Sequence, residues 1–416
     1  MSDRSPQDRF FTVNGIRLHV VDWGGEGPAA LLFHATGFHG RVWDPIAREL
    51  SRRFHVYACD ARGHGDSEKP EAGYDWARFT EDAVALLETL GAREALCVGH
   101  SLGATIVASV AAERPDLCGR AVLLDVILFP REFRRLSEAE NPMAIAARKR
   151  REIWPSRAEM VLSYGSRSPF ESWRRDVLEL YVHHGTEELA DGTARLKCPA
   201  RIEAQVFGMS SGFDGWGVLD RVSAPVLLVR GETSDTLSEL DAARALGRLR
   251  RGRLATAPGS SHFIPMERPD WVVAEIDRFL SSAEPAPTLP VDTHGLAHVA
   301  LKVRELEKAR DFYREVFGMR IVWQPDRDNV YLSSGRDNLA LHRADANGHA
   351  TGALDHLGFL VSRPAKVYAA AEALERRGIP ILQPPRRHRD GSCSLYVRDP
   401  DGNVVQILYT PDAKLE

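Results

Sequence analysis

Up to about residue 280 the chain alternates short, continuous apolar runs with stretches whose apolar positions recur every three or four residues. The runs AALLFHA, FHVYACD, ALCVGH, AVLLDV, APVLLVRG and GRLATAPG read as buried strands. Between most of them lie helical patterns, such as Ala77–Leu90 and Ser101–Arg114, both read as amphipathic. This alternation predicts an α/β domain built on a mainly parallel, helix-covered sheet. Ahead of it, FFTVNGIRLHVVDW holds Asn14-Gly15 between two alternating segments, the chemistry of a hairpin with a type I′ turn.

From about 127 to 217 the pattern becomes helical, charged and rich in Trp and Tyr, with no obvious parallel-sheet strand. A structureless loop of that length is uncommon in a compact domain, so a small helical cap over the carboxyl ends of the strands is expected. Its basic run ARKRRE (Ala147–Glu152) reads as a solvated helix face in preference to an anion site. At SSAEPAPTLPVDTHG, from Ser281, three prolines among small and polar residues mark a stiff linker. Beyond it two segments repeat one pattern: LAHVALKVRELEKARDFYREVFGMRIV and LDHLGFLVSRPAKVYAAAEALERRGIPIL each run strand, amphipathic helix, Gly, strand. Each continues into further strands, giving a repeated βαβββ unit. The expected organisation is a capped α/β domain at 1–285, a linker at 286–293, and an α+β domain of two paired βαβββ units at 294–416.

Bulk properties narrow the class. A chain of 416 residues exceeds what one core usually serves. A net charge of −4 gives no basic surplus for a nucleic-acid partner. No apolar run approaches the ~20 residues of a membrane span, and the first residues lack the apolar core of a secretory signal. The cysteines (Cys59, Cys97, Cys118, Cys198, Cys393) are odd in number, scattered and without CxxC spacing. Reduced thiols in a cytoplasmic protein are therefore expected.

The candidate chemistry centres on Gly99-His100-Ser101-Leu102-Gly103, set between a strand and a helical pattern. A sharp strand-to-helix turn would lift the Ser101 hydroxyl out of the sheet at a helix N-terminus, where backbone N–H groups favour a developing anion. Three later features build on it. LLFHATGFHG offers the Thr36 N–H, with that of Leu102, as an oxyanion hole. GSSHFIPMERPDWV presents His262 as a general base. LLVRGETSDTLSE places Asp235 in a loop, where it would orient that histidine.

With the chain order Ser101, Asp235, His262, residues from about 10 to 283 resemble the α/β-hydrolase family, in the branch with a helical cap. YACDARGHGDSEKP (Tyr57–Pro70) matches that branch's loop after the fourth strand, where Asp60, Arg62 and Asp66 brace the fold. Two positions depart from the family pattern. Ala35 follows His34 where the family usually has glycine, and Asp235 lies four residues beyond Gly231 where three is frequent. Asp125, ending the strand AVLLD, is the alternative acid that some members use. The resemblance implies a cofactor-free serine hydrolase for a small-molecule ester, lactone or related acyl compound. His34, His100, Trp154, Tyr164 and Trp173 are the candidate substrate-binding residues, with a core role open for each.

FYREVFGM and VRDPDGNVVQILY make the second domain resemble the vicinal oxygen chelate superfamily of glyoxalase I, extradiol dioxygenases and bleomycin-resistance proteins. Metal-bearing members ligate a divalent ion from the first and fourth strands of each unit. Those positions are His298, His356 and Gln406, with Ala340 at the fourth and His342 two residues on. The resemblance implies a divalent Fe, Mn, Ni or Zn site, or a metal-free binding cavity that keeps the two histidines, and a homodimer that completes its cavities between subunits. Three functions stand open: a hydrolase with a binding or dimerising second domain; a bifunctional enzyme whose metal domain feeds a carbon–carbon hydrolase; and a non-catalytic binding or resistance protein.

Overall fold

Strands β1 (Gln7–Val13) and β2 (Ile16–Gly24) pair antiparallel around Asn14 and Gly15, whose φ values of 48° and 78° are those a type I′ turn requires. The computed structural model describes residues 5–128, 136–210, 213–281, 291, 293, 295–335, 337–344, 354–398 and 404–411. It divides into two units, Met1–Thr288 and Leu289–Glu416. The linker expected at 286–293 lies outside the described residues except for Val291 and Thr293.

In the first unit the chain continues through β3 (Ala29–Phe33), β4 (His55–Cys59), β5 (Ala95–His100) and β6 (Cys118–Leu124). After the cap strands β7 (Ile153–Trp154), β8 (Thr186–Glu188) and β9 (Ala194–Leu196) come β10 (Val226–Gly231) and β11 (Gly252–Ala257). The main sheet has the order β1-β2-β4-β3-β5-β6-β10-β11, and every pairing beyond β2–β4 is parallel. Both faces are covered: Leu31, Cys97 and Leu228 pack into one core, Leu32, Val98 and Val229 into the other. That is why these strands carry continuous apolar runs.

Helices α1 (Asp44–Leu50), α2 (Trp76–Thr89) and α3 (Leu102–Glu113) flank the sheet. The last departs from its expected amphipathic character: every residue from Leu102 to Ala111 is buried, because α3 lies between the sheet and further helices. The cap holds α4 (Pro142–Arg148), α5 (Arg157–Gly165), α6 (Arg175–Gly185) and α7 (Ala200–Gly208). It is not purely helical, as its pattern suggested, since β7, β9 and β8 form a small antiparallel sheet. Strands of two or three residues are too short to show a period-2 pattern.

The second unit threads β12 (Gly295–Val303), β13 (Arg320–Trp323), β14 (Asn329–Ser333), β15 (Leu339–Arg343), β16 (Leu354–Leu360), β17 (Ile381–Arg387), β18 (Cys393–Arg398) and β19 (Val404–Tyr409) into one sheet. Its order is β13-β14-β15-β12-β16-β19-β18-β17, two βαβββ modules joined through β12 and β16. The helices Leu306–Phe317 and Pro364–Arg376 each follow the first strand of a module. All five cysteines are free and buried. No helix among the described residues is long and apolar enough to cross a membrane.

Candidate active site

The pentapeptide glycines are dictated by close approach. A Cβ on Gly99 would sit 2.1 Å from the Gly103 carbonyl oxygen, and one on Gly103 only 2.0 Å from that of Phe33. Between them Ser101 has φ 57° and ψ −117°, a conformation that L residues rarely hold and that stores about 1–3 kcal/mol of strain. The turn delivers the serine to the N-terminus of the twelve-residue helix α3, whose first residue is Leu102.

His262 follows β11, in a loop braced by Glu267, which accepts from Ser261 N at 2.8 Å and Ser261 Oγ at 2.6 Å. Its Nδ1 donates to Asp125 Oδ2 at 2.7 Å. Asp125 Oδ1 accepts from Gly231 N at 3.0 Å, and Oδ2 also accepts from Ser234 Oγ at 2.6 Å. With the proton on Nδ1, Nε2 is left as the basic nitrogen of His262. The carboxylate on this histidine is therefore that of Asp125, and the expectation of Asp235 is corrected. Asp235 is exposed, and its carboxylate lies 3.5 Å from Thr236 Oγ1. The reason is register: Asp125 N bonds Val229 O at 2.8 Å, so β6 continues its pairing with β10 by one residue and reaches Gly231. Asp125, like Ser101, has a positive φ, 46°.

Thr36 is buried and its Oγ1 has no partner among the described residues; the next residue, Gly37, turns the loop with φ +81°. The candidate pocket residues separate into two groups. His34 spends both ring nitrogens on backbone, Nδ1 donating to Ala35 O at 2.7 Å and Nε2 accepting from Ala61 N at 3.0 Å. It braces the loop and has neither ring nitrogen left for a substrate, so of the two roles open to it the structure favours the core one. Trp154 packs edge-on against Tyr164 and donates to Arg151 O at 3.2 Å, and Tyr164 stacks on Phe170 at 4.3 Å. Both belong to the cap core.

Trp173 and His100 reach the serine's surroundings. Trp173 packs 5.4 Å from the Phe38 ring and 5.5 Å from Phe263, the neighbour of His262. His100 Nε2 donates to the His262 carbonyl at 2.8 Å, its Nδ1 is buried without a partner among the described residues, and burial holds its pKa well below the ordinary value. The pattern of the sequence gave no reason to single out Phe38 and Phe263, although each stands one or two residues from a candidate catalytic position. Arg150 was misread: far from a solvated face, it lines a cavity with Gly37, Phe38, His39 and Tyr181.

In the second unit a cross-strand row runs His298, Gly358, Gln406, Tyr396 over β12, β16, β19 and β18. A Cβ on Gly358 would lie 2.6 Å from the His298 ring, so glycine makes room for it. His298 Nε2 and His356 Nε2 face each other at 2.7 Å, and His356 Nδ1 donates to Asp355 Oδ2 at 2.7 Å. Gln406 Nε2 donates to the Tyr396 hydroxyl at 2.5 Å, while its Oε1 is buried with no partner among the described residues. Burial, with His356 and His342 alongside, pushes the His298 pKa down to about 4. Two converging imidazoles with an orphaned carbonyl oxygen fit a divalent transition ion, and Asp355 supplies the carboxylate that orients a ligating histidine. His342, Asp355 and His356 also bring ligand atoms within 4.8 Å of one another.

Each unit matches a known family. Residues 30–275 match the Alpha/beta hydrolase family, and 295–407 the Glyoxalase/Bleomycin resistance protein/Dioxygenase superfamily. A 2-(acetamidomethylene)succinate hydrolase of Mesorhizobium japonicum is 30% identical over 276 residues, 65% of this chain and 94% of that protein. An esterase of Mycobacterium tuberculosis is 30% identical over 231 residues, 54% of this chain and 73% of the esterase. The crystal structure of E-2-(acetamidomethylene)succinate hydrolase covers 67% of this chain and 100% of its own, with TM-score 0.58 and 28% identity.

Proposed function

Because this chain belongs to the alpha/beta hydrolase family, with a glyoxalase-superfamily domain behind it, we propose that it is a serine hydrolase cleaving an ester, lactone or related acyl bond through Ser101, His262 and Asp125. The observation that carries this is the Asp125–His262 bond of 2.7 Å, formed beside a serine held at φ 57° on a helix N-terminus. His262 Nε2 takes the Ser101 proton as Oγ attacks the carbonyl, and the imidazolium that forms is stabilised by Asp125. The Thr36 and Leu102 N–H groups and the α3 dipole hold the oxyanion; one such donor is worth about 3–4 kcal/mol. His262 then returns the proton to the leaving group, and water activated by the same nitrogen releases the acyl group. The ring wall of Phe38, Trp173 and Phe263 favours a small, partly apolar acyl portion.

Fluorophosphonate labelling tests the reading. One adduct on Ser101, slowed strongly by His262→Ala, is expected. Folded wild-type protein that takes no label and cleaves no small ester overturns it.

A second reading concerns the C-terminal domain and is favoured by the His298–His356 contact of 2.7 Å together with the orphaned Gln406 Oε1. In it a divalent ion is held by His298, His356 and Gln406, and when bound supplies Lewis-acid polarisation of a substrate oxygen. Asp355, held by Lys302 Nζ at 3.0 Å, keeps the His356 ring in place.

A further inference from the structure

Arg150 stands within the cap's basic run, and its guanidinium is enclosed by the cap. It pairs with the Glu203 carboxylate and donates to the Tyr181 hydroxyl at 2.9 Å, with Tyr164 Oη at 3.5 Å. Glu203 lies on α7, Tyr181 on α6 and Tyr164 on α5, so one side chain ties three cap helices together. The pair's other side rests on Gly37. A Cβ there would fall 2.5 Å from Glu203 Oε1 and 3.2 Å from Arg150 Nη1. Gly37 directly follows Thr36, the proposed oxyanion donor. Two residues on, His39 Nε2 donates to Tyr181 O at 3.0 Å and fastens the same loop to the same helix.

A buried ion pair is weak as a source of stability, since an apolar pair of similar volume often does as well. Its position here has an electrostatic consequence. Glu203, with 9% side-chain exposure, would lie bare against the loop that must hold a developing negative charge. Arg150 cancels that charge, and the absence of a Cβ at Gly37 leaves room for the pair against the loop. We propose that Arg150 is a positioning residue of the hydrolytic site: it neutralises Glu203 at the oxyanion loop and pins that loop to the cap. This rests on the reading of Ser101 and Thr36 given above. Glu203 takes no part in the reaction.

The effect is asymmetric, which separates it from a merely structural pair. Arg150→Gln leaves a carboxylate facing the oxyanion, Glu203→Gln leaves a cation, and the double variant leaves neither. Arg150→Gln should lower both kcat and the affinity for a phenylboronic acid, whose serine adduct is a tetrahedral anion, by at least about tenfold. KM for a p-nitrophenyl ester should stay within about threefold, because the ground-state ester carries no such charge. Glu203→Gln should keep kcat within about threefold, and Arg150→Gln/Glu203→Gln should recover most of the loss. Arg150→Lys, which keeps the cation, should recover it too and serves where the Gln variant melts early. Equal losses in the two single variants, or a loss confined to KM, overturn the proposal. Wild-type protein that binds no boronate overturns the Ser101 reading first and this proposal with it.

Discussion

Asp125 shows how one residue decides the chemistry. Asp125 and Asp235 both follow strands that end at the candidate site, yet Asp125 accepts hydrogen bonds from His262, Gly231 and Ser234. Ser234, one residue before the expected acid, points inward as a donor while Asp235 is turned out to solvent. Asp125→Asn should lower kcat by about 10³–10⁴, because the amide presents the wrong partner to Nδ1 and favours the wrong tautomer. Asp235→Asn should leave kcat within about twofold, the range of an exposed substitution. Initial rates on a p-nitrophenyl ester decide between them, and a large loss in the Asp235 variant alone would reverse the assignment.

At the scale of elements, parallel strands bring residues distant in sequence to one edge. Ser101, Asp125 and His262 stand after β5, β6 and β11, in a sheet where β5 adjoins β6 and β10 lies between β6 and β11. In the second unit the β12–β16 pairing has a comparable effect, bringing His298 and His356 face to face from separate modules. Purified without chelator, the protein should carry a transition metal in near-stoichiometric amount by mass spectrometry. His298→Ala should lose it, since it removes one of the three proposed ligands of the ion. Metal-free wild type that takes up no Ni, Zn, Mn or Fe on titration would leave the second unit a binding cavity. This arrangement was half legible. The repeat and both histidines appeared in the pattern, but the orphaned Gln406 oxygen and the opening at Gly358 exist only once the strands are in register.

For the whole molecule, the first unit holds several histidines neutral in its interior. Burial pushes the pKa of His39 down to about 4 and that of His64 to about 3, and lowers those of His34 and His100 as well. In the unfolded chain each titrates near about 6.5. Below that pH the unfolded state takes protons that the folded state refuses, so stability falls with pH, by about 2 kcal/mol at pH 5 for each of His39 and His64. His19 opposes this: burial lowers its pKa, but Asp60 and Asp8 outweigh burial and raise it, so its contribution grows as pH falls. With His183, His184, His298 and His342 lowered as well, the imidazoles shifted down outnumber His19 and predict a melting temperature that drops steadily from pH 7 to pH 5. A flat profile would mean that these imidazoles charge within the fold.

The sequence by itself determined the fold class of both units, the cap, and two of the three proposed catalytic residues. Apolar periodicity, glycine spacing and chain order are local properties that need no partner to be visible. It read Arg150 as a surface cation and gave the acid's place to Asp235. Only the tertiary structure decided these, because a charge becomes buried, and a carboxylate finds its histidine, through contacts between segments far apart in the chain. Arg150 meets Glu203 across 53 positions and Asp125 meets His262 across 137, and neither pairing is specified by the residues that flank it in the chain.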